Sequence, residues 1–290
     1  MVFAYLILVH RNPGQLRRLV DAIMEDNVFV FIHVDRKSCI SDFKNSFSSL
    51  KNVVFCSQQK QVSWGGFGMI EATLELIHTM FSCNIQPDYV HLMSGQDFPL
   101  QPNEKIQRFF SNNAGRNFLE AHIIPSPRLS ELGLSRIRYK WYIDEKGYNK
   151  AVQLVEKQKQ QNKLRPYFTD IQPYNGSQWW SLTGKCVKWI YEICKQGNRL
   201  YDFYKYTFVP DEMLFHTMLK NSEWNNTIIN DNLRNIDWGR GPEYPRIWRN
   251  EDFEQLIHSE KLFARKFDAG VDNKIIIRIE KIIKQSYMMI

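Results

Sequence analysis

The sequence lacks a stretch long enough to cross a bilayer. No apolar run approaches the roughly 18 residues that a membrane-spanning helix needs, and the opening run, Met1 to Val9, has neither a basic leader nor a cleavage site. We therefore expect a buried strand there rather than a signal peptide. The five cysteines are scattered, odd in number and without a CxxC pair. This usage predicts reduced thiols in a cytoplasmic protein and excludes a CxxC zinc or redox motif.

The glycine motifs of common nucleotide sites are also missing. No GxGxxG follows the first expected strand and no GxxxxGK[ST] occurs, so we expect neither a dinucleotide site nor a P-loop. A paired-aspartate metal motif is absent as well, since only Asp97 follows the apolar run from Tyr89 to Met93. Divalent cations take several oxygen ligands, so we expect no metal and no other cofactor.

The charge of the chain is unbalanced towards positive. Lys and Arg number 38 against 31 Asp and Glu, which gives a net charge of +7. Such an excess favours an anionic partner, such as a diphosphate, a nucleic acid or a membrane surface. The densest basic run, Lys157 to Lys163, is interleaved with glutamine and is typical of a solvated helix or loop. We therefore expect no nucleic-acid partner and at most peripheral membrane association.

The first 35 residues carry the clearest fold signal. Apolar residues 3–9 and 28–34 flank a segment with apolar residues at helical spacing. This strand, helix, strand unit predicts an α/β fold with a Rossmann-like, mostly parallel central sheet flanked by helices. Ligands bind beyond the carboxyl ends of such strands, where His10 and Asp35 lie. Asp35 suits a hydrogen bond to a nucleotide, or it is a solvated strand end.

Several candidate ligand-binding residues follow. Trp64 and Gly65 lie in a glycine-rich loop that could approach a ligand closely or form a plain tight turn. Glu120 is a charged residue within an apolar run, a pattern typical of a paired or functional side chain. Residues 125–170 are polar, aromatic and basic, and we expect them to form an insertion over the sheet that serves as a substrate lid or an acceptor wall. This insertion includes Arg136 and Arg138.

Two adjacent carboxylates stand out in the second half of the chain. Asp211 and Glu212 follow Pro210 at the head of an apolar run, which predicts a helix whose first turn carries both charges. The pair is either an acidic helix start or part of a cleft in which one carboxylate is a general base. Trp179, in a tryptophan pair, is open to the same two interpretations, as a core residue or as a platform for a sugar.

The last quarter of the chain supplies fixed positive charge. Arg246 and Arg249 lie in a segment rich in glycine and proline, and Arg265 and Lys266 follow a short apolar run. In the absence of a metal, such cations are what a departing diphosphate requires. For any one of them taken alone, a solvated surface charge is the simpler explanation.

Seven separated stretches, taken together, point to one family. They are Ala4–His10, Ile32–Ser38, Val62–Gly66, Leu92–Leu100, Asn117–Glu120, Val209–Glu212 and Leu262–Asp268. In this order they resemble the core-2/I-branching β-1,6-N-acetylglucosaminyltransferases and their peptide O-xylosyltransferase relatives. The resemblance implies a glycosyltransferase-A fold. It also implies an inverting transfer of a sugar from a UDP-sugar, without the usual metal.

The resemblance also implies roles for individual residues. Glu212 matches the catalytic base, Lys266 a lysine that holds the diphosphate, and Arg246 its partnering arginine, with Arg249 close enough to compete. Residue patterns and resemblance together give an expected donor side of Val9, His10, Asp35, Trp64, Gly65, Asp97, Arg246, Arg249 and Lys266. The expected acceptor side consists of Glu120, Arg136, Arg138, Trp179 and Asp211.

The chain departs from the animal Golgi members of that family. It has no recognisable anchor, stem or cysteine framework, so we expect a bacterial, cytoplasmic member. We expect a single domain, with residues 1–123 as the nucleotide-sugar half and 124–290 as the acceptor and catalytic half. The donor is expected to be UDP-GlcNAc, with UDP-xylose or another UDP-hexose as the alternative. A non-catalytic glycan-binding protein with a degenerate site is the alternative from another functional class.

Overall fold

A computed structural model describes residues 1–125, 130–239 and 244–286. Its strands are β1 (Phe3–Val9), β2 (Val28–Val34), β3 (Val53–Phe55), β4 (Tyr89–Ser94), β5 (Asp97–Pro99), β6 (Asn117–Phe118), β7 (His122–Ile123), β8 (Tyr174–Asn175), β9 (Ser181–Thr183), β10 (Ile228–Ile229), β11 (Arg234–Ile236) and β12 (Phe263–Arg265). The first two strands and β4 are the long apolar runs of the sequence.

Helices cover both faces of the sheet. They are α1 (Pro13–Ile23), α2 (Ile40–Lys44), α3 (Gly68–Ser82), α4 (Asn103–Asn112), α5 (Ser130–Arg138), α6 (Ile143–Lys146), α7 (Tyr148–Gln160), α8 (Gly184–Lys195), α9 (Arg199–Tyr204), α10 (Leu214–Lys220), α11 (Phe253–Ile257) and α12 (Lys274–Ser286). Short 3₁₀ turns form at Pro210–Glu212, Glu223–Thr227 and Asn250–Asp252.

The central sheet has seven strands in the order β10-β6-β9-β4-β1-β2-β3. Strands β1, β2, β3 and β4 run parallel to one another, and β9 is antiparallel to both β4 and β6. The fold is therefore α/β with a mostly parallel central sheet flanked by helices, as predicted. Parallel strands need crossover connections, and α1 and α3 supply them here.

Side chains of β1 alternate between two cores because successive residues of a strand point to opposite faces. Phe3, Tyr5, Ile7 and Val9 pack in one core with apolar residues of α1 and α12. Ala4, Leu6 and Leu8 pack in the other core with those of α3, α8 and α10. Both faces are buried, which explains why the strand reads as one continuous apolar run.

Two smaller sheets sit beside the central one. The first has the order β11-β12-β5, with β12 parallel to β11 and antiparallel to β5. It brings residues 97–99 against residues 263–265, which are far apart in the sequence. The second pairs β7 with β8. The apolar run predicted as one strand at 117–123 is thus divided between β6 and β7, which lie in different sheets.

The predicted helix at Pro210 is also divided. Pro210–Glu212 forms a separate 3₁₀ turn, Met213 has a φ of −135°, and the α-helix begins only at Leu214. Both carboxylates therefore lie on the turn, outside the first turn of α10. The local pattern was correct in starting a helical segment at Pro210 but wrong in making it continuous.

Candidate active site

The carboxyl ends of β1, β2 and β4 meet at one edge of the sheet. The backbone amide of Asp35 donates to the Val9 carbonyl at 2.9 Å. Gly95, directly after β4, lies against Val9, and a Cβ placed on it would be 2.7 Å from the Val9 Cγ2 atom. The Asp35 carboxylate accepts from the Lys37 amide at 2.9 Å and is thereby oriented. The structure thus brings Val9, His10 and Asp35 together, as the βαβ pattern predicts.

Three cations gather beside this edge, and we call Arg11, Arg265 and Lys266 the cationic group. Burial lowers the pKa of Lys266, and the charges of Arg265 and Arg11 lower it further. Burial and the charge of Arg11 also lower the pKa of His10. The Asp268 carboxylate, which pairs with Arg11 at 3.0 Å, counters part of this charge. A concentration of positive charge at strand ends suits an anionic ligand such as a diphosphate.

The backbone of the cationic group is held in place by a buried tryptophan. The Trp248 amide donates to the Lys266 carbonyl at 2.9 Å, and its indole Nε1 donates to the Arg265 carbonyl at 2.8 Å. The next residue, Phe267, donates its amide to the Gln96 carbonyl at 2.8 Å. These bonds fix the backbone at Lys266 and thereby limit the positions that its ammonium group can reach.

Asp97 does not take the donor-side position predicted for it. Its side chain is fully buried and pairs with Arg265 at 2.9 Å. Arg234, also fully buried, approaches its other oxygen at 3.7 Å. A carboxylate held by two guanidinium groups and closed to solvent is poorly suited to contact a ligand or a metal. Asp97 instead orients Arg265, a member of the cationic group, through their ion pair.

Trp179 was predicted as an acceptor contact, but its side chain lies in the core. The residue is buried, and the guanidinium carbon of Arg265 lies 4.6 Å from its ring centroid. Such a cation–π contact holds the arginine over the ring. The tryptophan pair therefore belongs to the core, and Trp179 acts on the site through Arg265.

The two arginines in competition for the diphosphate have different surroundings. Arg246 pairs with Asp252 at 2.5 Å and also lies 3.6 Å from Asp237 and 3.7 Å from Glu251. These carboxylates counter its charge. Arg249 is exposed, and within the described ranges no carboxylate pairs with its guanidinium. Among the described residues, Arg246 is therefore paired and Arg249 is not, and the choice between them as the diphosphate contact stays a prediction.

Glu212 is held by an arginine from the insertion. Arg136, on α5, donates from Nη1 to Glu212 Oε2 at 2.8 Å, and the Glu212 side chain retains 31% exposure. The Gly176 amide donates to the Glu212 carbonyl at 2.9 Å and fixes the turn. The result is a carboxylate with a defined direction that still reaches solvent. Arg138, two residues further along α5, is exposed, and its acceptor role stays a prediction.

Asp211 differs from its neighbour because it is buried. Burial, reinforced by the adjacent charge of Glu212, raises the pKa of Asp211 to about 7. The charge of Arg136 acts in the opposite direction and is a smaller effect. The two consecutive carboxylates are therefore in different environments: Glu212 reaches solvent, and Asp211 is buried.

Glu120 lies in the break between β6 and β7, close to Glu212. Its carboxylate accepts from Asn232 Nδ2 at 2.5 Å and from His122 Nε2 at 3.2 Å. Gly176 separates the two glutamates, since a Cβ there would lie 1.8 Å from the Glu120 carbonyl oxygen. The structure therefore brings together Glu120, Arg136 and Glu212, three residues predicted on separate grounds.

The glycine pair after Trp64 has a packing role. Gly65 has a φ of +75°, and a Cβ on it would lie 2.4 Å from the Phe208 ring. A Cβ on Gly66 would lie 2.3 Å from the Asp144 carboxylate. The close approach predicted for a ligand is thus made by Phe208 and Asp144. Gly65 is buried against Phe208, and its donor role stays a prediction.

Sequence reasoning missed several residues of the site. Arg11 directly follows the first strand end, and its position next to His10 was a usable signal. Arg265 adjoins Lys266 and was noted only as a general positive charge. Asp144 and Phe208 carried no local signal, because their partners at residues 65–68 are far away in the sequence.

A profile of the Core-2/I-Branching enzyme family matches residues 3–259 of this chain. The chain belongs to the Core-2/I-Branching enzyme family. This is a family of glycosyltransferases, and it agrees with the resemblance seen in the sequence motifs. The family assignment rests on nearly the whole chain, and it includes the stretches that carry Glu212 and the strand ends.

Two curated relatives of this chain are xylosyltransferases. Xylosyltransferase 1 of Rattus norvegicus is 25% identical over 98% of this chain, and xylosyltransferase 2 of Homo sapiens is 26% identical over 94%. The alignments span 36% and 32% of those proteins, so the chain covers about a third of their length.

A solved structure, 4-diphosphocytidyl-2C-methyl-D-erythritol synthase of Anaerococcus prevotii, is a distant neighbour. It has a TM-score of 0.35 and 11% identity, covering 68% of this chain and 77% of its own. Separately, none of the helices in the described ranges is both long and apolar enough to cross a membrane.

Proposed function

We propose that this chain transfers a sugar, GlcNAc in the first instance, from a UDP-sugar to a hydroxyl of a glycan acceptor, with inversion and without a metal. One structural link carries the proposal. The segment 176–179 joins Glu212, whose carbonyl accepts from the Gly176 amide, to Arg265, which lies over the Trp179 ring. Three residues span at most about 11 Å between Cα atoms. This short segment therefore links the turn that carries Glu212 to the arginine of the cationic group, which supports one site that holds both.

In this mechanism Glu212 accepts the proton of the acceptor hydroxyl while the hydroxyl oxygen bonds to the anomeric carbon. The bond from that carbon to the diphosphate breaks on the opposite face, and UDP leaves with the electron pair. Arg136 keeps the Glu212 carboxylate directed at the acceptor. A general base of this kind contributes about 10²–10⁴-fold in rate.

The departing diphosphate is stabilised by the cationic group, with Arg249 as a further contact. Positively charged donors fixed in a partly buried site stabilise charge that develops in the transition state. The placement of Asp97 supports metal independence, because the one aspartate after β4 is engaged by Arg234 and Arg265. Val9 and Asp35 bind the uridine side of the donor, and Glu120 binds the acceptor.

UDP-xylose is the second candidate donor. The observation in its favour is that the curated relatives, at about a quarter identity, are named xylosyltransferases. GlcNAc follows from the resemblance to the branching enzymes. The difference lies in the pocket around the sugar ring, where GlcNAc needs room for an acetamido group and a hydroxymethyl group that xylose lacks.

Calorimetric titration with UDP, UDP-GlcNAc and UDP-xylose, first in EDTA and then with Mn²⁺, tests the proposal. We expect UDP to bind in EDTA and to bind more weakly to Lys266→Ala. The relative affinities of the two sugar nucleotides then rank the donors. Binding that requires Mn²⁺ would contradict metal independence. If UDP does not bind under either condition, the chain is not a UDP-sugar transferase, and glycan binding without catalysis takes its place.

A further inference from the structure

Three exposed aromatic side chains converge beside the loop that leads into α3. Trp64, Tyr148 and Tyr244 are 47%, 45% and 59% exposed. The Trp64 ring centroid lies 5.4 Å from that of Tyr148 and 6.4 Å from that of Tyr244. We call these three residues the aromatic wall. A group of exposed large rings in contact is uncommon on a protein surface unless it binds something.

The aromatic wall packs against two further rings, those of Phe208 and Trp141. Phe208 contacts Trp64 at 5.3 Å and Tyr148 at 6.0 Å between ring centroids. Trp141 stacks on Phe208 at 4.5 Å. The Gly65 backbone leaves the space that Phe208 fills. The exposed rings are therefore supported in fixed positions, which lowers the entropy lost when a ligand binds.

A carboxylate fastens the insertion to this loop. Asp144 Oδ2 accepts from the Phe67 amide at 2.5 Å and from the Gly68 amide at 3.3 Å, at the start of α3. Asp144 lies on α6, and Tyr148 begins α7 four residues later. This contact therefore fixes Tyr148 relative to Trp64, although 84 positions separate them in the sequence.

The wall is connected to the proposed catalytic base by short contacts. The Val209 amide donates to the Gly65 carbonyl at 3.0 Å, three residues before Glu212. The Phe208 amide donates to the carbonyl of Arg136 at 3.3 Å, and the Arg136 side chain holds Glu212 at 2.8 Å. A molecule lying on the wall would thus be next to the group that receives the acceptor proton.

We propose that the aromatic wall binds a pyranose ring of the acceptor, next to the sugar whose hydroxyl is glycosylated. This inference rests on the proposed function. The flat faces of Trp64 and the tyrosines suit the C–H face of a pyranose, and the tyrosine hydroxyls suit its rim. It moves Trp64 from the donor side to the acceptor side of the site. It also adds Tyr148 and Tyr244, which no sequence motif marked.

Calorimetry with defined trisaccharides tests the wall in the full chain, in the presence of saturating UDP. The probes are triacetylchitotriose, cellotriose and β-1,4-galactotriose, with Tyr148→Ala and Tyr244→Ala as the variants. We expect at least one trisaccharide to bind, and each variant to weaken that binding about tenfold or more. The affinity for UDP should stay within twofold. Tyr191→Ala is the matched control, because Tyr191 stacks on His78, ten residues beyond the start of α3.

Each other outcome has a defined meaning. Weaker UDP binding in the wall variants would place the wall on the donor side and overturn the inference. Unchanged trisaccharide binding in both variants, or no trisaccharide binding at millimolar concentration while UDP still binds, would also overturn it. If the unmodified chain does not bind UDP, the proposed function itself is contradicted. Failure of the inference and failure of the proposed function are therefore distinguishable.

Discussion

Arg136 Nη1 lies 2.8 Å from Glu212 Oε2 and joins two parts of the chain that are 76 residues apart. The contact fixes a carboxylate that would otherwise rotate freely on its short 3₁₀ turn. It also ties the insertion to the proposed catalytic base, so that α5 and the acceptor side of the cleft are parts of one arrangement. The predictions below test this arrangement and the donor side separately.

Glu212→Gln should lower kcat by about 10²–10⁴-fold, because the amide cannot accept the acceptor proton. The amide oxygen can still accept from Arg136, so the fold and the affinity for UDP should be preserved. UDP release in an acceptor-dependent assay measures the first effect, and calorimetry measures the second. Glu223→Gln, on the 3₁₀ turn at 223–227, is the control and should behave as the unmodified chain. Retention of activity by Glu212→Gln would exclude it as the base.

Lys266→Ala should weaken UDP binding about 10- to 100-fold, as expected for the loss of one charge-assisted hydrogen bond of about 1.5–3 kcal/mol. The effect should shrink as salt is added, because the cationic group is only partly buried. Calorimetry at two salt concentrations measures it. Lys274→Ala, at the start of α12, should leave the affinity unchanged. Equal losses in both variants would mean that general positive charge, and not this site, attracts UDP.

Arg249→Ala and Arg246→Ala should have opposite phenotypes. Arg249 is free of carboxylate partners in the described ranges, so its loss should weaken UDP binding with little change in Tm. Arg246 pairs with Asp252, so its loss should lower the free energy of unfolding by about 1–2 kcal/mol and leave UDP affinity nearly intact. Thermal melts and calorimetry on the two variants give the comparison. The reverse result would restore Arg246 as the diphosphate contact.

Asp211→Asn should raise Tm more at pH 8 than at pH 5. Burial raises the folded-state pKa of Asp211 from 3.8 to about 7. Its protonated form therefore stabilises the fold fully below the unfolded pKa, and this contribution is lost as the pH rises through about 7. Asparagine removes the buried charge that forms above that pH. Melts across pH 5–8 measure the difference. Asp202→Asn, an exposed carboxylate, should show no such pH dependence.

Gly66→Ala should destabilise the fold by about 1–2 kcal/mol, because its Cβ would displace the Asp144 carboxylate from the two amides that it caps. In an Asp144→Ala background the same substitution should be nearly neutral, since the obstructing atoms are gone. A double-mutant cycle from urea unfolding measures this coupling. Gly14→Ala is the matched control, since nothing lies within 4 Å of its added Cβ. If the free-energy changes of Gly66→Ala and Asp144→Ala simply add, the two residues are not in contact.

The sequence by itself determined the long parallel strands of the sheet and the position of its ligand edge. Continuous apolar runs mark strands buried on both faces, and a helix between two of them requires a parallel pair. The side chains at the ends of those strands, such as His10 and Asp35, must then share one edge. The motif around Glu212 was likewise visible locally, because proline and two carboxylates start a helical turn whatever lies nearby.

Tertiary structure alone decided which charged side chains are paired with other charges and which are free to contact a ligand. Asp97 and Arg246 look like ligand contacts in the sequence, but packing places Arg265 against Asp97 and Asp252 against Arg246. The same packing gave Glu212 its arginine and buried Asp211 beside it. These pairings join residues far apart in the chain, so no local pattern encodes them. They depend on how the insertion and the small sheet pack on the central one.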